Sequence, residues 1–349
     1  MTKSLTFASD KNSDFYVLSD EALIYSINAL TGQTNWTYEV GAESISNIIA
    51  AEDGVFVANV VASNRIDNKD DKDDKDGKVK RIHLRSLNRT SGIPFWLTEI
   101  VLANETKKNQ FEKFGEEDAS KIFLGQSENS IFLSDTRGNY ALAKKRQGNL
   151  EAVTKFEWAP NSFFDFGNYK HRDFQTLRAL FGYAARNKFY LIAVQTGKIL
   201  NQTVHTEIIT AALLEHRNLF IGDEKGGISL FNIQEFNIQE DGASASLAWN
   251  IKTGGKISSL SLTGEGILAA SFDNFAYLID RNNGKRIWKK RLPGRLLFKP
   301  LIVENEKLFV IVENNAAYFV GLQNGRILSQ ITLPDGEYFV NPPVLLNGR

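Results

Sequence analysis

The residues of this chain that could do chemistry are few, and their spacing argues against catalysis. Histidine occurs four times, at His83, His171, His205 and His216. No two of them have the paired spacing of a metal site, and none accompanies a credible nucleophile. We therefore expect each histidine to be a structural or surface residue.

Two further kinds of reactive site are missing from the sequence. Cysteine is absent from all 349 residues, which excludes disulfides, thiolate nucleophiles, thiolate metal sites and haem attachment. The only candidate for a phosphate-cradling loop, GDEKGGISLF, is typical of a hairpin turn. We expect no enzymatic activity and no bound cofactor.

An acidic run at residues 63–81 raises the question of calcium. Five aspartates of the run precede a glycine: Asp70, Asp71, Asp73, Asp74 and Asp76. An EF-hand register with Gly77 in the sixth position would place Lys72 first and His83 twelfth, where carboxylates are required. Because aspartate and lysine alternate here, we expect a solvated hairpin extension and no metal site.

Composition and charge limit the classes of molecule that the protein could bind. Apolar residues make up 42% of the chain and charged residues 23%, as in soluble globular proteins with a core. The 41 basic and 41 acidic residues cancel, which removes the long-range positive field that nucleic acids would require. No run approaches the roughly 20 apolar residues that cross a bilayer. We expect neither a nucleic-acid partner nor a transmembrane segment.

Segments of similar sequence repeat along the chain. Residues 23–40 and 276–292 share a Tyr seven positions before a Gly and a Trp four positions after it. The period settles near about 42 residues, which is typical of repeat architectures. The marking glycines include Gly32, Gly92, Gly197, Gly284 and Gly325. The tryptophans that follow such glycines are Trp36, Trp96, Trp158, Trp249 and Trp288, and two other copies place Asn201 and Ser329 at the Trp spacing.

Each copy predicts four short strands, A to D, with the Gly in the C–D turn and the Trp on strand D. The runs are rich in Val, Ile, Phe and Tyr and are separated by Asp, Asn and Gly, as in β-hairpins. One such sheet cannot bury both faces alone, so the copies must stack, and radial stacking gives a β-propeller. Seven copies are visible, and the tail EYFVNPPVLLNGR resembles a further strand A.

We therefore predict an all-β fold, a β-propeller of seven or eight four-stranded antiparallel blades. It would form a single domain over residues 1–349. Insertions would interrupt the repeat at about 63–81, 104–120 and 159–176.

The segments YLIDRNNGKRIW, YSINALTGQTNW and YLIAVQTGKIL resemble the pyrroloquinoline-quinone-type (PQQ-type), or quinoprotein-like, propeller repeat. The resemblance covers nearly the whole chain. It implies the fold but leaves the function open, because the repeat serves dehydrogenases, outer-membrane assembly lipoproteins and lumenal scaffolds alike. The well-known dehydrogenases are longer and carry a vicinal cysteine pair, which is missing here.

Among these families the chain is most similar to the BamB outer-membrane assembly lipoproteins, which are periplasmic propellers of similar size. The lipid-bearing cysteine of that family is absent. The resemblance implies a non-catalytic scaffold for protein–protein interactions, in a membrane-associated complex. Two alternatives stay open: the lumenal propeller of a subunit of the endoplasmic-reticulum membrane complex, and a quinone- or sugar-binding propeller.

Two groups of residues are candidates for binding other proteins. Aromatic residues stand outside the repeat in residues 158–180, and protein interfaces concentrate aromatic side chains: Phe163, Phe164, Phe166 and Tyr169. Basic residues cluster around the final strand of the sixth copy, where they could meet an acidic partner or lipid headgroups: Lys285, Arg286, Lys289, Lys290, Arg291 and Arg295. The alternatives are an aromatic cap on the propeller and a soluble edge that deters aggregation.

The start of the chain, MTKSLTFASDKNSDF, lacks the apolar core of a secretion signal. The protein is then either cytosolic or exported with its leader removed, and we expect the second, in the periplasm or a lumen. We also expect it to be monomeric by itself.

Overall fold

The structure is a computed structural model in which the described residues form only β-strands, turns and bends. None of these residues belongs to a helix with the length and apolarity needed to cross a membrane. The described ranges are 6–9, 14–19, 21–28, 30–41, 44–63, 79–101, 122–136, 138–155, 162–166, 180–193, 199–233, 245–296, 299–303, 307–313 and 315–337.

The described strands form seven antiparallel sheets, and in each the strands pair in chain order. Sheet 1 contains β1 (Thr6–Ser9), β2 (Asp14–Leu18), β3 (Leu23–Asn28) and β4 (Thr34–Glu39). Sheet 2 contains β5 (Ser44–Ile45), β6 (Ile49–Ala51), β7 (Gly54–Ser63), β8 (Val79–Leu87) and β9 (Pro94–Val101). Both β5 and β6 pair with β7, so they are two pieces of one interrupted strand A. Sheet 3 contains β10 (Ile122–Gln126), β11 (Ser130–Asp135), β12 (Asn139–Lys144) and β13 (Leu150–Lys155).

The later sheets follow the same plan. Sheet 4 contains β14 (Ser162–Asp165), β15 (Leu180–Ala185), β16 (Lys188–Ala193) and β17 (Ile199–Val204). Sheet 5 contains β18 (Ile209–Glu215), β19 (Asn218–Asp223), β20 (Gly227–Ile233) and β21 (Ala245–Lys252). Sheet 6 contains β22 (Ile257–Thr263), β23 (Gly266–Ser271), β24 (Phe275–Ile279) and β25 (Arg286–Arg291). Sheet 7 contains β26 (Leu301–Val303), β27 (Leu308–Glu313), β28 (Ala316–Gly321) and β29 (Ile327–Thr332).

These sheets confirm the predicted all-β propeller class with its four-stranded antiparallel blades. The count within the described residues is seven. The tail expected to add a strand falls largely in residues 338–349, outside the described residues.

The chain divides into two compact units, Leu5–Ala159 and a second that contains Pro160–Arg349. The first holds sheets 1 to 3 and the second holds sheets 4 to 7. The expectation of one domain over the whole chain stays a prediction.

The structure gives a different outcome for each of the three predicted insertions. Strand β7 ends at Ser63 and β8 begins at Val79, so the acidic run lies between paired strands, and residues 64–78 are outside the described part. Residues 104–120 are also outside it. The third boundary, 159–176, needs correction, because Ser162–Asp165 is strand A of sheet 4. Its backbone pairs with β15, so these residues are part of the repeat.

One irregularity recurs at the same place in all seven sheets. The register between strands C and D shifts by one residue directly after the residue that faces the Trp position. Such a bulge bends strand D and turns its side chains. The residues at this position are Trp36, Trp96, Ala152, Asn201, Trp249, Trp288 and Ser329.

This register corrects one member of the predicted tryptophan series. In sheet 3 the position belongs to Ala152, which faces Leu142. Trp158 lies ten positions after Gly148, instead of four, and is outside the described residues. The placements of Asn201 and Ser329 agree with their spacing in the sequence.

The cores of the two units lie between neighbouring sheets. In the first unit, Phe56 of sheet 2 and Ile131 of sheet 3 belong to one fully buried cluster. In the second unit, Phe220 and Ile267 join sheets 5 and 6, and Leu268 and Phe309 join sheets 6 and 7. Within each unit these neighbouring sheets therefore bury apolar faces against each other.

Candidate interaction surfaces

Each tryptophan of the repeat joins its own sheet to the next one. The Trp36 Nε1–H on β4 donates a hydrogen bond to the Arg89 carbonyl oxygen, 2.6 Å away in the C–D turn of sheet 2. The Trp36 ring lies against Gly92 so closely that a Cβ there would be 2.7 Å from it. Glycine is required at this turn for space, and also because its φ is +71°.

The same arrangement occurs three more times among the described sheets. In each, the indole N–H donates to a carbonyl one or two residues after the end of strand C in the next sheet, and the ring covers the turn glycine that follows. The pairs are Trp96 with Lys145 and Gly148, Trp249 with Arg281 and Gly284, and Trp288 with Leu322 and Gly325. Gly32 has the same conformation, with φ +70°, but no heavy atom lies within 4 Å of its Cβ position. Gly197 is outside the described residues.

The turns that receive the tryptophans are themselves fixed by hydrogen bonds. The Gly92 N–H donates to the Asn88 carbonyl, and the Asn88 N–H donates to the Ile93 carbonyl, both at 2.8 Å. The Asn88 Oδ1 accepts hydrogen bonds from the N–H groups of Thr90 and Ser91. Asn28 caps the turn of sheet 1 in the same way. The side chains of Asn88 and Asn28 therefore fix the backbone conformation of these two turns.

The structure places the predicted aromatic residues in or beside the core of sheet 4. Phe163 and Phe164 lie on β14 and are half-buried. The rings of Phe164 and Phe166 pack against Phe189, with centroids 5.9 and 6.3 Å away. Tyr169 lies outside the described residues. These contacts favour a packing role for Phe164 and Phe166 over a partner-binding loop.

The predicted basic residues of β25 are divided between two faces of sheet 6, as strand alternation requires. Lys290 shares the Trp288 face, and its Cβ lies 3.0 Å from the Cβ position of Gly325. Lys289 and Arg291 lie on the other face, where they pair with Tyr277 and Phe275 of β24. Lys289 and Arg291 are exposed, whereas Lys290 is half-buried.

A cleft of about 710 Å³ opens between sheets 1 and 2, within the first unit. Its walls carry three carboxylates, a guanidinium and several amides. The Asn35 amide donates to Asp14 Oδ1 at 3.3 Å. Phe95, on the wall, is 58% exposed. The lining includes Asp14, Asn35, Glu52, Asp53, Arg89 and Phe95.

A buried hydrogen-bonded pair joins sheets 4 and 5, and it contains one of the four histidines that we expected to be structural or surface residues. His205 Nε2 lies 2.9 Å from Asp223 Oδ2, and both side chains are almost completely buried. Burial alone would raise the pKa of Asp223. The hydrogen bonds from His205 and from the N–H groups of Gly227 and Lys225 outweigh it and hold this pKa below its ordinary value. Since all partners are internal, the pair fixes the turn after β19.

No group of three or more metal-ligating side chains occurs in the part of the chain that the structure describes. The aspartates of the acidic run lie outside that part. The expectations of no metal, no cofactor and no catalysis stay predictions.

Comparisons with known proteins agree with the fold. No protein-family model matches the sequence, and a search of curated proteins found no match either. The computationally designed protein Ika8 is 12% identical, with a TM-score of 0.65 over 95% of this chain and 87% of that chain. BamB from Moraxella catarrhalis is 14% identical, with a TM-score of 0.52 over 91% of this chain and 80% of that chain. At these identities the likeness shows the fold alone.

Proposed function

We propose that the protein is a non-catalytic scaffold that holds other proteins on a rigid β-propeller. The observation that carries this proposal is the contact of tryptophan with the next turn glycine, repeated in Trp36, Trp96, Trp249 and Trp288. Through these contacts the strands and the C–D turns pack neighbouring sheets against each other. The remaining loops are then free to vary and bind partners.

The proposed setting is a membrane-associated complex outside the cytosol. The resemblance of the repeat to the PQQ-type family supports this setting, and so does the structural likeness to BamB. A role in outer-membrane protein assembly is the specific form of the proposal. The lumen of the endoplasmic reticulum is the alternative compartment.

Cross-linking in the native host tests the scaffold function. An affinity-tagged chain is cross-linked in cells, extracted from membrane and soluble fractions, and purified under denaturing conditions. We expect one or a few proteins to be recovered in near-stoichiometric yield from the membrane fraction. Recovery of only chaperones and proteases, at the level of a tagged exported control protein, would contradict the proposal.

The cleft between sheets 1 and 2 favours a second candidate function, the binding of a sugar. Carboxylates and amides that can bond hydroxyl groups line it, beside the exposed ring of Phe95. Its volume lies within the range of small-molecule sites.

Thermal unfolding with and without ligand distinguishes a sugar-binding protein from a scaffold that binds no small molecule. A ligand at about 100 times its Kd stabilises the folded state by about 2.7 kcal/mol and raises the Tm. We expect no shift with oligosaccharides, or with PQQ and calcium, if the protein is only a scaffold. A shift abolished by both Phe95→Ala and Asp53→Asn would assign the cleft to a ligand instead.

A further inference from the structure

One end of sheet 6 carries a group of cations whose neighbours are aromatic rings. We call it the sheet 6 patch and define it as Lys256, Phe272, Phe275, Lys289, Arg291 and Arg295. Lys256 precedes β22, Phe272 and Phe275 flank the β23–β24 turn, Lys289 and Arg291 end β25, and Arg295 follows it. All four cationic residues are exposed.

The rings position the cations. Lys256 Nζ and the Arg295 Cζ lie 5.3 and 5.4 Å from the centroid of the same ring, Phe272. Lys289 Nζ lies 3.8 Å from the centroid of Phe275. These distances are those of cation–π contacts. Such a contact holds a cation in place without cancelling its charge, because the ring is neutral.

The carboxylates of Asp273 and Glu313 lie beside these cations and offset part of their positive charge. Within the described residues, none of the four cations forms an ion pair. The acid in their midst is Asp273, and its oxygens accept hydrogen bonds from the Tyr277 hydroxyl and from the N–H groups of Gly254 and Phe275. Glu313 of sheet 7 is engaged by the N–H of Arg295.

The same end of sheet 5 shows the contrast. There Lys225 lies 3.0 Å from Glu207. Lys225 is thus paired with an acid of the chain itself, whereas Lys256, Lys289 and Arg295 of sheet 6 contact aromatic rings. In a protein whose total charge is zero, the sheet 6 patch is a local surplus of positive charge.

We infer that the sheet 6 patch binds an acidic, extended segment of a partner protein. Four exposed cations along one sheet end are complementary to a run of carboxylates, and the rings reduce the entropy that lysine and arginine would lose on binding. This inference rests on the proposed scaffold function and names the chemistry of one partner.

A labelled deca-glutamate peptide tests the inference by fluorescence anisotropy. We expect saturable binding that weakens as salt rises, because exposed charges are screened. The triple variant Lys256→Gln/Lys289→Gln/Arg295→Gln should weaken binding about tenfold or more, because it removes three of the four exposed cations that would pair with the peptide.

The matched control removes three exposed cations from the opposite end of sheets 6 and 7, in the variant Lys285→Gln/Lys307→Gln/Arg326→Gln. It carries the same net charge as the test variant and should bind like the unaltered protein. Both variants must keep the Tm of the parent, which shows that they fold.

Three outcomes would overturn the inference. One is the absence of saturable peptide binding at low salt. Another is an equal loss in both triple variants, which would show a net-charge effect. The third is binding of phosphatidylglycerol vesicles or free inorganic phosphate through these residues without binding of the peptide. None of these outcomes decides the scaffold proposal, which the cross-linking experiment tests independently.

Discussion

At the scale of single residues, the turn glycines offer a direct measure of the tryptophan contact. Gly92 and Gly32 have nearly the same φ, +71° and +70°, but only Gly92 is covered by an indole ring. We expect Gly32→Ala to destabilise the protein by about 1–2 kcal/mol, the cost of a left-handed residue with a Cβ. Gly92→Ala should cost about 1–3 kcal/mol more, because its Cβ would overlap Trp36.

Urea unfolding followed by circular dichroism measures both variants. The control is the double variant Gly92→Ala/Trp36→Ala, in which the overlap is removed and the two losses should not add. Equal losses of stability in Gly32→Ala and Gly92→Ala would show that the contact between the Trp36 ring and Gly92 does not stabilise the packing of sheet 1 on sheet 2.

At the scale of elements, the C–D turns differ in how they are capped. In sheet 2 the Asn88 Oδ1 accepts hydrogen bonds from two N–H groups of its turn. Lys144 holds the same place in sheet 3, and its exposed side chain lies 3.8 Å from Glu151. We expect Asn88→Ala to destabilise the protein by about 1 kcal/mol or more, and Lys144→Ala by about 0–1 kcal/mol. Chemical unfolding of the two variants gives the comparison. A cost for Lys144→Ala as large as that for Asn88→Ala would mean that the side-chain cap adds nothing.

Most elements could be predicted from the sequence, because glycine and alternating apolar residues recur with the period of the fold. Strand β14 could not, since its SFFD run resembles an aromatic loop and becomes a strand only by pairing with β15. In sheet 3 the pairing of strands C and D gives the bulge position to Ala152, which also stands four residues after Gly148. The residue type, and not the spacing, placed Trp158 in the tryptophan series. Of the cations in the sheet 6 patch, Lys289, Arg291 and Arg295 belong to the basic cluster that the sequence indicates. Lys256 does not, because it is distant in sequence and meets Arg295 only in the fold, over Phe272.

At the scale of the whole molecule, stability is distributed over joints between neighbouring sheets. Trp36 joins sheets 1 and 2 within the first unit. Trp288 joins sheets 6 and 7 within the second, through Leu322 and by stacking on Phe309 at a centroid distance of 6.2 Å. In stacked repeats the stability of each repeat depends mainly on its contacts with the adjacent repeats.

Hydrogen exchange by mass spectrometry can therefore locate each joint, with Trp36→Ala and Trp288→Ala as reciprocal controls. Removing a large buried ring costs about 3–5 kcal/mol, and local openings become more frequent where that energy is lost. We expect Trp36→Ala to speed exchange most in β2–β4 and β7–β9, and Trp288→Ala to do so most in β23–β25 and β27–β29. If either variant instead sped exchange uniformly over all seven described sheets, the molecule would open only as one cooperative whole. The indole joints would then not be the local units of its rigidity.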